Sequence, residues 1–153
     1  MPQGSNAGQA LGKKEKMIQE IIKQWDKNKT NLETYFKGKH PDSYEEIVKK
    51  LFELCINDSD SDNEYDVSEI TVIDHGDYQG TQIFIIPRKT YQPSTSDYLW
   101  FDNSYGSCSG CDTLQRIRSY SDEPPTEEQT KDYMILALHL VQRMKPLTGK
   151  EEY

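Results

Sequence analysis

The stretch ITVIDHGDYQGTQIFIIPRKTYQPSTSDYLWF, residues 70–101, decides how this chain folds. Three short runs in it, ITVID, TQIFII and DYLWF, are rich in β-branched and aromatic residues, the composition of strands rather than helices. DHGDYQG, between the first two runs, carries two glycines and reads as a hairpin turn. Pro87 closes the second run, and RKTYQPSTSD with Pro93 reads as a polar loop. Three successive strands joined by short loops predict an antiparallel meander.

Outward from this region the period changes from two to about 3.6. Upstream, Met17, Ile18, Ile21, Ile22 and Trp25 form a helical stripe among lysines and glutamates, continued by Leu32, Tyr35 and Phe36 or interrupted by a capping box at Thr30 and Glu33. Gly38 ends it in either case. Ser43 and Glu46 open a second helix whose apolar face is Tyr44, Ile47, Val48, Leu51, Phe52, Leu54 and Cys55, stopping near Asn57. Downstream, DNSYGSCSGCD reads as a loop, Asp112 and Gln115 start a short helix to about Tyr120, and SDEPP breaks the chain. Thr126 caps a last helix with Tyr133, Met134, Ala137, Leu138, Val141 and Met144 toward the core, ended by Pro146. The expected architecture is α+β: a small three-stranded antiparallel sheet with helices packed on one face, in the order ααβββαα. A tail over residues 1–12, a single domain over 13–146 with an acidic linker at 58–69, and a tail over 147–153 complete the organisation.

Composition narrows the function classes. The 153 residues carry 18 basic and 26 acidic side chains, a net charge of −8, which argues against general binding to nucleic acid or anionic membranes. No apolar run reaches the length of a spanning helix, and MPQGSNAGQALGKKEK lacks the apolar centre of a secretory signal. Ten tyrosines, four phenylalanines and two tryptophans give enough bulk for a core despite an apolar fraction of 34%. Three cysteines are an odd number, which argues against a disulfide framework and for a reducing cytoplasm.

Chemistry concentrates in Ser104-Tyr105-Gly106-Ser107-Cys108-Ser109-Gly110-Cys111-Asp112, which joins a predicted strand to a predicted helix. Cys108 and Cys111 have the spacing with which two thiolates grip one zinc ion, but a closed site needs two more ligands, from His75, Asp112 or Cys55. A redox pair is a second reading, opposed by the acidic Asp112 at the helix start. Tight packing of small residues at a corner capped by Asp112 is the third. A phosphate-cradling loop would need a lysine and a glycine spacing that are absent, the nearest cations being Arg116 and Arg118. Asp58, Asp60, Asp62, Glu64, Asp66 and Glu69 fall near the ligand positions of an EF-hand loop, yet the glycine position is Asn63 and the exit reads as a strand, so a solvated acidic linker is expected rather than a calcium site. His40, His75 and His139 lack a neighbouring nucleophile motif and read as structural or exposed.

ITVIDHGDYQGTQIFIIPRKTYQP, DNSYGSCSGCDTLQ and TEEQTKDYMILALHL together resemble a family of small hypothetical proteins found mostly in bacteriophages and prophages, with SYGSCSGCD as its most distinctive segment. The resemblance spans roughly residues 14–146 and implies origin rather than activity. With such an origin, the expectation is a small non-catalytic accessory protein in the bacterial cytoplasm that binds a host or defence protein. Tyr105, Ser107, Ser109 and Asp112, with Arg116 nearby, are the expected partner-binding residues. A zinc protein built on Cys108, Cys111 and His75, and a virion-associated structural protein, are the alternatives.

Overall fold

The computed structural model describes residues 13–57, 64–76, 80–90, 92–93, 97–106, 112–118 and 123–147. The helices α1 (Lys13–Gly38) and α2 (Tyr44–Leu51) come first, and α2 runs into one wide π turn, Phe52–Ile56. A 3-10 turn, Val67–Glu69, leads into β1 (Thr71–Gly76), β2 (Gly80–Pro87) and β3 (Tyr98–Tyr105). Then follow α3 (Thr113–Arg118), α4 (Glu127–Arg143) and a two-residue strand β4 (Lys145–Pro146). The sheet order is β1-β2-β3-β4, antiparallel throughout.

The antiparallel meander is therefore present, but the sheet has four strands instead of three and the order is ααβββααβ. The fourth strand escapes sequence reading because it is two residues long. Lys145 and Pro146 pair with Trp100 and Leu99, and Leu147 N–H adds a bond to the Tyr98 carbonyl at 2.9 Å. The first three strands also run further than their composition suggests. His75 and Gly76, expected in the turn, belong to β1, and Asp102 to Tyr105, expected in the loop, belong to β3. Residues of low strand propensity are carried into the ladder by their partners: Asp74 opposite Gln82, Gln82 opposite Asn103. The hairpin closes tightly: Gly76 has φ 146°, and a Cβ at Gly80 would collide with the His75 carbonyl oxygen.

The core lies between one face of this sheet and the helices. Phe84 and Ile86 from β2 and Leu99 and Phe101 from β3 are fully buried there, with Phe84 and Phe101 stacked at 5.3 Å. Opposite them stand Leu32 and Phe36 of α1, Ile47, Val48 and Leu51 of α2, and Tyr133, Ala137 and Leu140 of α4. α1 is one unbroken helix, so the restart at Thr30 does not occur; its buried stripe is Met17, Ile21, Trp25, Leu32 and Phe36, while Ile22 is exposed. At the end of α2, α1 supplies donors for the carbonyls the wide turn frees: Asn28 Nδ2 reaches the Cys55 carbonyl at 2.9 Å and Asn31 Nδ2 that of Leu54 at 3.3 Å.

Part of the acidic stretch is ordered by the core. Tyr65 is only 2% exposed, and its main chain exchanges two hydrogen bonds with the Asn57 side chain, at 2.8 and 2.9 Å. Asp66 caps the 3-10 turn through Ser68 N–H. Asp58, Asp60 and Asp62 lie outside the described residues, as does the tail over residues 1–12. Among the described residues no helix is long and apolar enough to cross a membrane.

Candidate functional site

The corner between β3 and α3 is organised by Asp112. The residue is 6% exposed, and its carboxylate accepts three hydrogen bonds: from Tyr44 OH at 2.7 Å, from Gln115 N–H at 3.2 Å and from Gly106 N–H at 2.9 Å. Tyr44 OH in turn accepts from Leu114 N–H at 3.1 Å, and Gln115 Nε2 donates to the Gly106 carbonyl at 3.2 Å. Both backbone groups of Gly106 are thus held by residues at the start of α3. Burial, with the Asp112 carboxylate beside it, raises the Tyr44 phenol well above its ordinary range, so it stays a donor. The N-cap role expected of Asp112 is present, and the pairing with Tyr44 gives it a second function, docking α2 against the corner.

A polar row continues from this corner along the helix-facing side of the sheet. Tyr105 OH donates to one oxygen of Asp74 and Gln82 Nε2 to the other, at 3.3 Å. Arg143 Nη1, from the last turn of α4, donates to Asn103 Oδ1 at 3.4 Å. Gln82 Oε1 and Asn103 Nδ2 are buried without a hydrogen-bond partner within 3.5 Å among the described residues. Tyr105 is thus at the half-buried margin of the fold, joined to β1 through Asp74.

Arg116 lies on the exposed side of α3 and lines a groove of about 380 Å³ between α3 and α4, with Glu128, Asp132, Ile135 and His139 opposite. Ser107, Cys108, Ser109 and Cys111 lie outside the described residues. Of the ligands that could complete a zinc site with the two cysteines, Asp112 is engaged by three donors, and Cys55 is buried between α1 and α2 with its Sγ 3.8 Å from the Trp25 carbonyl. Burial pushes the Cys55 thiol up to about 12, which keeps it neutral. His75 is exposed and, by strand alternation, points away from the face on which Asp74 meets Tyr105. Among the described residues no three metal-binding side chains converge.

His40 is buried as a strut. Its Nε2 donates to the Glu123 carbonyl at 2.9 Å, which leaves Nδ1 to accept from Tyr133 OH at 2.6 Å. Beside it, Glu46 receives Lys39 Nζ at 2.8 Å, the Tyr35 hydroxyl and Asp42 N–H at 3.0 Å, and Arg118 reaches Asp42 at 3.3 Å. This network joins α1, α2 and α3. His139 is exposed on α4.

Among the described residues no helix covers the other side of the sheet. Ile73 of β1, Ile83 and Ile85 of β2, and Tyr98 and Trp100 of β3 point there, Ile73 being 46% exposed and the rest half-buried. Lys145 lies over the Trp100 ring at 5.1 Å. This face was not singled out as a site by the sequence, although the signal was present: TQIFII and DYLWF are apolar on both strand faces rather than alternating. Tyr44, Gln82, Asn103 and Arg143 also went unread. A tyrosine on an apolar helix face was the one cue, since a buried phenol needs a partner. No protein-family model, no curated protein and no solved structure matches this chain.

Proposed function

We propose that this chain is a non-catalytic binding protein, a phage-encoded accessory protein that engages a bacterial host or defence protein in the cytoplasm. The observation that carries the reading is the uncovered side of the sheet, where Ile73, Ile83, Ile85 and Trp100 stand on adjacent strands. Contiguous apolar side chains on a surface mark interaction sites more often than not. The corner after β3, on the helix-facing side of the sheet, carries Tyr105 and Arg116 as a second part of the contact, with Ser107 and Ser109 between them in sequence. Asp112 supports this corner by fixing Gly106 and the start of α3.

The test is cross-linking of the full chain in bacterial extract, followed by identification of the protein attached. Wild type is expected to retain one bacterial protein, with retention lost on Ile83→Lys and weakened on Tyr105→Ala or Arg116→Glu, while the melting transition is kept. Equal retention by wild type and Ile83→Lys would sink the assignment of the sheet face.

A further inference from the structure

We propose that β1 is a self-pairing edge, through which two copies of this chain join their sheets into one of eight strands. The two edges of the sheet differ in a way that points to this. β4 ends the sheet with two residues, one of them a proline without an N–H and the other a lysine, both features that block edge-to-edge pairing. β1 has neither. It is six residues long, pairs with β2 in unbroken register from Thr71 to Gly76, and contains no lysine or proline. Among the described residues nothing pairs with its other edge. Its side chains are exposed except for half-buried Val72, so no described element overhangs the position a further strand would take.

The register follows from symmetry and charge. A two-fold antiparallel pair must place each residue opposite one whose side chain lies on the same face, so a residue on the axis faces its own counterpart. Centring the pair on Asp74 would oppose two carboxylates, which destabilises a pair. Centring it on Val72 leaves only Thr71 to Ile73 within the paired strands. Centring it on Ile73 pairs all of Thr71 to His75: Ile73 faces its counterpart, Thr71 faces His75, and Val72 faces Asp74. No like charges meet. Because Ile73 is already opposite Ile83, the same register lines up Ile83, Ile73 and their two counterparts as an apolar row across the junction. Residue Ile73, nearly half exposed in a single copy, becomes the centre of that row.

This proposal is independent of the partner reading, and its test uses the chain alone. Sedimentation velocity across about a hundredfold range of concentration is expected to show a reversible dimer. Ile73→Lys and Ile73→Glu each oppose like charges at the axis and are expected to raise the dissociation constant by at least about tenfold. At concentrations low enough for wild type to be monomeric, both variants should melt like it, because the side chain is partly in solvent. Mixed in equal amounts, the two put a lysine opposite a glutamate and are expected to regain the dimer. Ile83→Lys, one strand inward, serves as the control and keeps the dimer. In wild type, hydrogen exchange should be slow at every amide from Val72 to His75 instead of at alternate ones. A wild type that stays monomeric, a mixture that fails to reassociate, or a dimer lost as fully with Ile83→Lys as with Ile73→Lys would overturn edge pairing.

Discussion

Phe84 and Ile85 are neighbours in β2, and Trp100 and Phe101 are neighbours in β3, yet in each pair one side chain is sealed in the core and the other is only partly buried. The chemistry of the two faces is the same. What differs is that α1, α2 and α4 cover one and nothing described covers the other. An apolar residue in a strand therefore says which faces are available for burial, and the helices decide which face becomes the core. The uncovered face keeps a hydrophobic driving force that the monomer does not use, which is the physical basis for assigning it to an interface.

Substitutions on the two faces should separate them sharply. Phe101→Ala removes half of the stacked Phe84–Phe101 pair from a fully packed site and is expected to cost about 3–5 kcal/mol in urea unfolding. A loss below about 1 kcal/mol would mean that the helix layer is not packed on this face as described. Asp112→Ala leaves the N–H groups of Gly106 and Gln115 and the Tyr44 hydroxyl without their acceptor, and should cost about 2–4 kcal/mol in the same measurement. Tyr44→Phe, which removes one arm of the cluster, should cost less than Asp112→Ala; the reverse order would place the weight of the corner on the phenol.

A smaller effect belongs to the Glu46 network on the helix side. Burial alone would raise the Glu46 carboxyl, but the hydrogen bonds from Lys39 and Tyr35 outweigh it and hold it below its ordinary range. A carboxyl depressed in the folded state contributes stability that is present at neutral pH and is lost as pH falls through its folded value. Stability should therefore decline through the acid end of the carboxylate range, and Glu46→Gln should flatten that decline by about 1 kcal/mol. At the other end, burial and the Glu46 contact push the Tyr35 phenol up to about 12, so this tyrosine contributes below its unfolded value and loses its contribution as pH rises toward 12. The smallest effect is expected on the uncovered face: Ile83→Thr keeps a β-branched residue in the strand and should change stability by no more than about 0.5 kcal/mol. A cost comparable to Phe101→Ala would show that this face is buried in the isolated chain after all.

Legibility in the sequence followed how local the cause was. Ser43 does accept from Glu46 N–H, and Thr126 forms a full capping box with Gln129, because caps are made within three residues of chain. The Glu46 carboxylate, however, turns to Asp42 N–H and Lys39, a choice made by the neighbouring helix end. The apolar stripe of α4 was readable, with Thr130, Leu136 and Leu140 added by packing. Ile22 looked like core by spacing and is exposed, since α1 meets its neighbours along a narrower stripe than its apolar residues allow. The Asp112 cap was legible, but not its junction with Tyr44, which stands 68 residues away.

By itself the sequence determined the element types, the meander and the capped helix starts, because periodicity, β-branching and capping are properties of adjacent residues. Only the tertiary structure decided that β4 exists, that β1 and β3 extend into His-Gly and Asp-Asn-Ser-Tyr, that Asp112 is buried under three donors, and that no described helix covers one apolar face of the sheet. Each of these depends on which distant segment arrives at a given surface. Pairing partners, buried hydrogen bonds and covering helices are supplied by the rest of the chain, and a strand's own residues carry no record of them.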